Sequence, residues 1–117
     1  MPMSPLLAAA LEEARSLSAG RAWTAPIEPA LAEAERLLQL VATPWPQPEL
    51  RVEPSGAIVL EWDAGERGWV ELTVDGSGQL SHGAVIDGDE YGQAEDFADR
   101  LPDWAAEVLR RLYARLQ

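Results

Sequence analysis

A single histidine limits the chemistry open to this chain. His82 stands next to Ser81, and no second imidazole exists, so any site built on two histidines is excluded. Neighbours on a strand point to opposite faces, which separates the Ser81 hydroxyl from the His82 ring and defeats a nucleophile–base pair. Leu80, Ala84 and Ile86 share the phase of His82. The imidazole is therefore expected to face inward as a structural, partly buried side chain with its hydrogen bonds satisfied, rather than a general base. Cysteine is absent, which removes disulfides, thiolate zinc sites and cysteine nucleophiles together. The glycines at 76, 78 and 83 lead into a strand and not into a helix N-terminus, so they do not form a phosphate-cradling loop. The run Asp87-Gly-Asp-Glu-Tyr-Gly92 puts Asp87, Asp89 and Gly92 at the first, third and sixth positions of a calcium loop. Tyr91 then occupies the fifth position, and Ala98 stands where the bidentate glutamate is required, so a hairpin turn is expected instead and no metal or cofactor. Two carboxyls about 5–10 Å apart in a cleft would suit glycoside hydrolysis, but twenty acids meet that spacing by chance and nothing marks a pair. No catalytic residue is assigned, and the chain is expected to be non-enzymatic.

What remains is charge. Twenty Asp and Glu oppose nine Arg, with no Lys, for a net charge of −11 on 117 residues. Such an excess repels nucleic acid and anionic membrane and attracts basic surfaces. It is concentrated between Asp87 and Glu107, where eight acids (Asp87, Asp89, Glu90, Glu95, Asp96, Asp99, Asp103 and Glu107) face Arg100 alone. A dense row of carboxylates competes with nucleic acid for a cationic channel by the same counterion-release physics. The competing reading is a solvated face that keeps the chain soluble, with Asp99 and Asp103 serving a helix start. Trp69 is the second candidate. It is out of phase with Val70, Leu72 and Val74, so it points across the sheet with Val59, toward either the N-terminal helices or a partner. Packing by those helices is the expected outcome.

The elements that position these residues follow from periodicity. Ser4-Pro5 starts a helix with Leu7, Leu11, Ala14 and Leu17 on one stripe, closed at Gly20. A second starts near Pro26 to Pro29, with Ile27, Leu31, Ala34, Leu38 and Val41 as its stripe and Glu33, Glu35 and Arg36 opposite. Residues 1–42 thus read as a helical hairpin. The alternating prolines of 43–49 forbid a helix, and the stiff connector is expected to lay Trp45 on the sheet rather than to dock in a partner's groove. From Leu50 the period becomes two: Leu50 to Glu53, Ile58 to Asp63, Trp69 to Val74 and Leu80 to Ile86 alternate, with Asp75-Gly-Ser-Gly78 as a hairpin turn. Pro102 and Asp103 open a last helix whose stripe is Trp104, Val108, Leu109, Leu112 and Leu116, with Arg110, Arg111 and Arg115 near its C-terminus. The order predicts one α+β domain: a helical hairpin, a three- to four-stranded antiparallel meander and a C-terminal helix packed on the sheet.

The runs Gly56-Ala-Ile-Val-Leu-Glu-Trp62, Trp69-Val-Glu-Leu-Thr-Val-Asp-Gly76 and Leu101-Pro-Asp-Trp104 resemble a family of small uncharacterised bacterial proteins. Those share a helical N-terminus, a Pro-rich bend, a Leu-Glu-Trp strand and a final helix opening with Leu-Pro. The resemblance spans roughly Ala30 to Leu116. It implies the fold and brings no activity.

The functional expectation is a non-enzymatic acidic module that binds a basic, nucleic-acid-handling protein and occludes its surface, as anti-CRISPR, anti-restriction or immunity-type inhibitors of mobile elements do. Asp87, Asp89, Glu90, Glu95, Asp96, Asp99 and Trp69 are its candidate contact residues. Direct contact with nucleic acid or membrane is not expected. The alternative is a small assembly subunit that holds its partner through an apolar surface at Trp45, Trp69 or Trp23. The N-terminus is apolar but short, lacks a basic flank and is interrupted by Glu12-Glu13, so it predicts neither a membrane span nor a signal peptide, and a cytoplasmic protein is the expectation.

Overall fold

A computed structural model describes residues 3–17 and 21–114. Three helices, α1 (Pro5–Leu17), α2 (Glu28–Leu40) and α3 (Asp103–Leu112), accompany five strands: β1 (Glu49–Val52), β2 (Ile58–Asp63), β3 (Gly68–Val74), β4 (Gln79–Ile86) and β5 (Asp89–Asp96). The strands form one antiparallel sheet in the order β1-β2-β3-β4-β5. The α+β class is as expected, but the sheet has five strands rather than three or four. The additional strand is β5, where the acidic stretch had suggested only a turn and a loop. Its sequence, Asp-Glu-Tyr-Gly-Gln-Ala-Glu-Asp, is poor in strand-forming residues. It pairs because the tight turn at Asp87 (φ 51°) and Gly88 (φ 87°) folds it back onto the long free edge of β4, in register from Ile86↔Asp89 to Gln79↔Asp96.

Alternation sends Ile58, Leu60, Trp62, Val70, Leu72, Val74, Leu80, Ala84 and Ile86 to one side of the sheet, all buried. Both α2 and α3 pack there. Ala30, Ala34, Leu37 and Val41 from the second helical segment share that core with Ala105, Val108, Leu109 and Leu112 of α3. α1 adds Leu7 to the same core and runs beside the edge strand β1, meeting α2 where the Ser4 amide donates to Glu35 Oε1 at 2.7 Å. α2 and α3 therefore share one face, while α1 flanks the β1 edge, where Ala10, Ala14 and Leu17 border a cleft with Glu49, Arg51 and Glu61; on the other face Val59 is buried and the β3–β5 part carries no helix. The expectation that the N-terminal helices cover Trp69 is overturned. The apolar stripe of α2 points to the side already chosen by the β2–β4 core, and α3 takes the rest of it.

Other stripes are turned relative to expectation. On α2 the buried set is Ala30, Glu33, Ala34 and Leu37, while Ile27 is exposed. Small alanines let this helix approach the β3–β4 turn so closely that a Cβ on Gly76 would sit 2.8 Å from Ile27 Cδ1 and 3.0 Å from the Ala30 nitrogen. On α1 the buried residues are Leu7, Ala10 and Ala14, and Leu17 faces outward. On α3, Trp104 is also exposed, its ring capped by the Arg111 guanidinium at 5.8 Å. The expected helix stop at Gly20 and the contributions of Arg115 and Leu116 lie outside the described residues. Trp45 does pack against the core, and the neighbouring Pro46 carbonyl accepts the Trp62 indole N–H at 2.8 Å.

Candidate functional site

The uncovered face of the sheet is where acids and an exposed aromatic meet. β2 contributes Val59, Glu61 and Asp63, and β3 contributes Trp69, Glu71 and Thr73; β4 contributes Ser81, Gly83 and Val85, and β5 Glu90, Gly92, Ala94 and Asp96. β1 adds Glu49 and Arg51. Six carboxylates thus share this face with one arginine.

Register sorts the face into two halves. Across β1, β2 and β3, Glu49, Glu61 and Glu71 stand directly opposite one another. Facing like charges destabilise a sheet, and Arg51 offsets part of that cost, with guanidinium nitrogens 3.8 Å from Glu61 and 3.3 Å from Glu71. Partial burial and the Glu71 charge push the Glu61 carboxyl above the ordinary glutamate value, with Arg51 opposing. Toward β4 and β5 the same row ends in Gly83 and Gly92, which expose backbone and no side chain. The Trp69 indole lies toward this bare strip: a Cβ on Gly83 would be 3.9 Å from its Cζ3. Trp69 is 37% exposed.

The seven residues named from sequence are divided by strand geometry. Trp69, Glu90 and Asp96 lie on the open face. Asp89 and Glu95 are on the helix-covered side, where Glu95 Oε1 accepts the Trp104 amide at 3.5 Å at the start of α3. Asp87 and Asp99 occupy connections at opposite ends of β5, and Asp87 sits 3.7 Å from Arg67. With side chains alternating along β5, the acids do not form a single patch.

His82 and Ser81 fall on opposite faces and His82 is buried, as expected, but its ring is not fully satisfied. Burial lowers its basicity, and the Glu95 charge opposes the shift. Its Nδ1 is buried without a partner among the described residues, as is Glu95 Oε2. Among those residues no group of three or more His, Asp or Glu is placed to hold a metal ion. None of the helices described is long and apolar enough to cross a membrane.

Apolar spacing along α2 predicts Glu33 on the polar side of that helix. It is instead 6% exposed and accepts the Gly76 and Gly78 amides at 2.7 and 2.9 Å. The Asp-Gly-Ser-Gly turn was a readable signal for one half of that arrangement, but the helix rotation that supplies the carboxylate was not. Glu61 and Glu71 were legible as outward-facing, whereas their alignment with Glu49 needed the register.

No family model, curated protein or solved structure matches this chain.

Proposed function

We propose that this chain is a protein-binding module that lays its uncovered acidic sheet face on a basic surface of a partner, of the kind that partner uses to hold nucleic acid. The supporting observation is that all three helices sit on one side or at the β1 edge, leaving Trp69 and six carboxylates on the other face against Arg51 alone. Exposed charge of one sign accelerates encounter with its opposite and sets orientation, and the exposed Trp69, in the row at one end of the face, supplies apolar contact area. Occupying a cationic channel in this way is the physical basis of an occluding inhibitor, and catalysis has no part in it.

The test is capture from host lysate with three baits: the native chain, an open-face variant (Glu71→Gln, Glu90→Gln, Asp96→Asn) and a loop variant (Asp87→Asn, Asp99→Asn). The native and loop baits should retain the same basic partner at low salt and release it at high salt, because exposed charge is screened. The open-face bait should fail to retain it, and nucleic acid should displace the partner from the native bait. Capture that resists salt and all five neutralisations, but is lost on Trp69→Ala, would replace this reading with that of an assembly subunit held by apolar contact.

A further inference from the structure

Within the open face, and resting on its reading as a docking surface for a basic partner, we infer that Trp69 forms a subsite for one arginine side chain of that partner. The indole is held over glycine. Gly83 lies beneath Cζ3 and Gly92 continues the strip on β5, so no side chain from either strand in that row stands over the ring. Carboxylates surround it. Asp63 is directly opposite on β2, Glu71 is two residues along the same strand, and Glu90 lies one strand beyond Val85. A directly opposite residue such as Asp63 has its Cβ about 5 Å from that of Trp69, while Glu90, two strands away at about 4.8 Å per strand, can meet only the far end of a long cationic side chain lying across the ring.

Arginine already stacks on three other rings of this molecule. Arg111 lies 5.4 Å from the centre of Tyr91 and 5.8 Å from that of Trp104, and Arg36 lies 5.6 Å from that of Phe97. Among the described residues Trp69 carries no such cation. Arg51, the arginine of this face, is two strands away and engaged with Glu53, Glu61 and Glu71 at 3.3–3.8 Å. An incoming guanidinium satisfies both features of the subsite, since its plane stacks on the indole while its fork of N–H groups meets a carboxylate. An ammonium makes only a point contact. An apolar side chain would desolvate the surrounding acids without pairing them. A second copy of this chain would bring six carboxylates against six.

The experiment is a titration of the full-length ¹⁵N-labelled chain with nona-arginine and nona-lysine peptides at low salt, read by amide and indole NMR shifts. The arginine peptide should bind about two- to fivefold more tightly than the lysine peptide, the range for a partly exposed cation–π contact. Its largest shifts should fall on the Trp69 indole N–H and the Gly83 and Gly92 amides. Trp69→Leu should remove the preference but leave salt-sensitive binding, and Trp69→Phe should keep a reduced preference. Equal binding of both peptides by the native chain, or a preference that survives Trp69→Leu, overturns the subsite. If binding is then still lost in the open-face variant, the docking face itself stands. Failure of both peptides to bind the native chain overturns the two together.

Discussion

Glutamates on the two sides of this sheet do opposite things. Glu33, on the covered side, is buried and finds two backbone donors at the β3–β4 turn, so its desolvation is matched by two charge-assisted hydrogen bonds. Glu61 and Glu71, on the open side, stay partly in water, face each other and share one arginine. The first arrangement is specific to one geometry and fastens a helix to a hairpin. The second sets like charges side by side and leaves a net negative field on the sheet surface, the field the proposed docking uses. The covered side is therefore where substitutions should cost folding, and the open side where they should cost binding.

Glu33→Ala should show the larger effect. It removes the shared acceptor of the half-buried Gly76 amide and the more exposed Gly78 amide and should cost about 1–2 kcal/mol in urea unfolding, with Glu33→Gln costing roughly half as much. A change under about 0.5 kcal/mol would mean that water replaces the carboxylate and that the two faces do not differ as described.

His82 sharpens the contrast through pH. Because burial lowers its folded-state pKa, the unfolded chain takes up a proton that the native imidazole resists. Stability should then fall as pH drops below about 6.5, the ordinary histidine value. His82→Gln should flatten the urea midpoint over that range by up to about one proton's worth of slope. An unchanged slope would show that the ring titrates alike in both states.

Glu61→Gln should have the smallest effect and the opposite pH sense. The native carboxyl holds its proton more tightly than the unfolded one, so its contribution to stability is lost as pH rises past about 4.3. Removing the charge should raise stability at neutral pH by no more than about 0.5 kcal/mol. A loss above about 1 kcal/mol, measured by thermal or urea unfolding, would show that the carboxylate row holds the sheet together and is not available to a partner.

The residues that made the sheet core legible were those whose burial follows from alternation alone. Val70, Leu72 and Val74 read as inward, Trp69 as outward, and each is so placed. β5 was hidden because pairing with β4, and not its own composition, makes it a strand. The Asp87–Glu107 acids looked continuous in the linear chain, and pleating then separated Glu90 from Glu95. The rotation of α2 escaped a reading based on apolar spacing, because two hydrogen bonds to a distant turn outweigh the exposure of Ile27.

By itself the amino-acid sequence determined the helix and strand succession apart from β5, the inward phase of β2 to β4, the net negative charge, and the exclusion of cysteine and two-histidine chemistry. Local periodicity and composition suffice for those, since each depends on neighbours a few residues apart. Only the tertiary structure decided that α2 and α3 share one side, that Glu33 is buried, and that Trp69 lies against Gly83 on the face those helices leave open. These depend on register and on which of two apolar surfaces the helices cover, and residues far apart in the chain settle both.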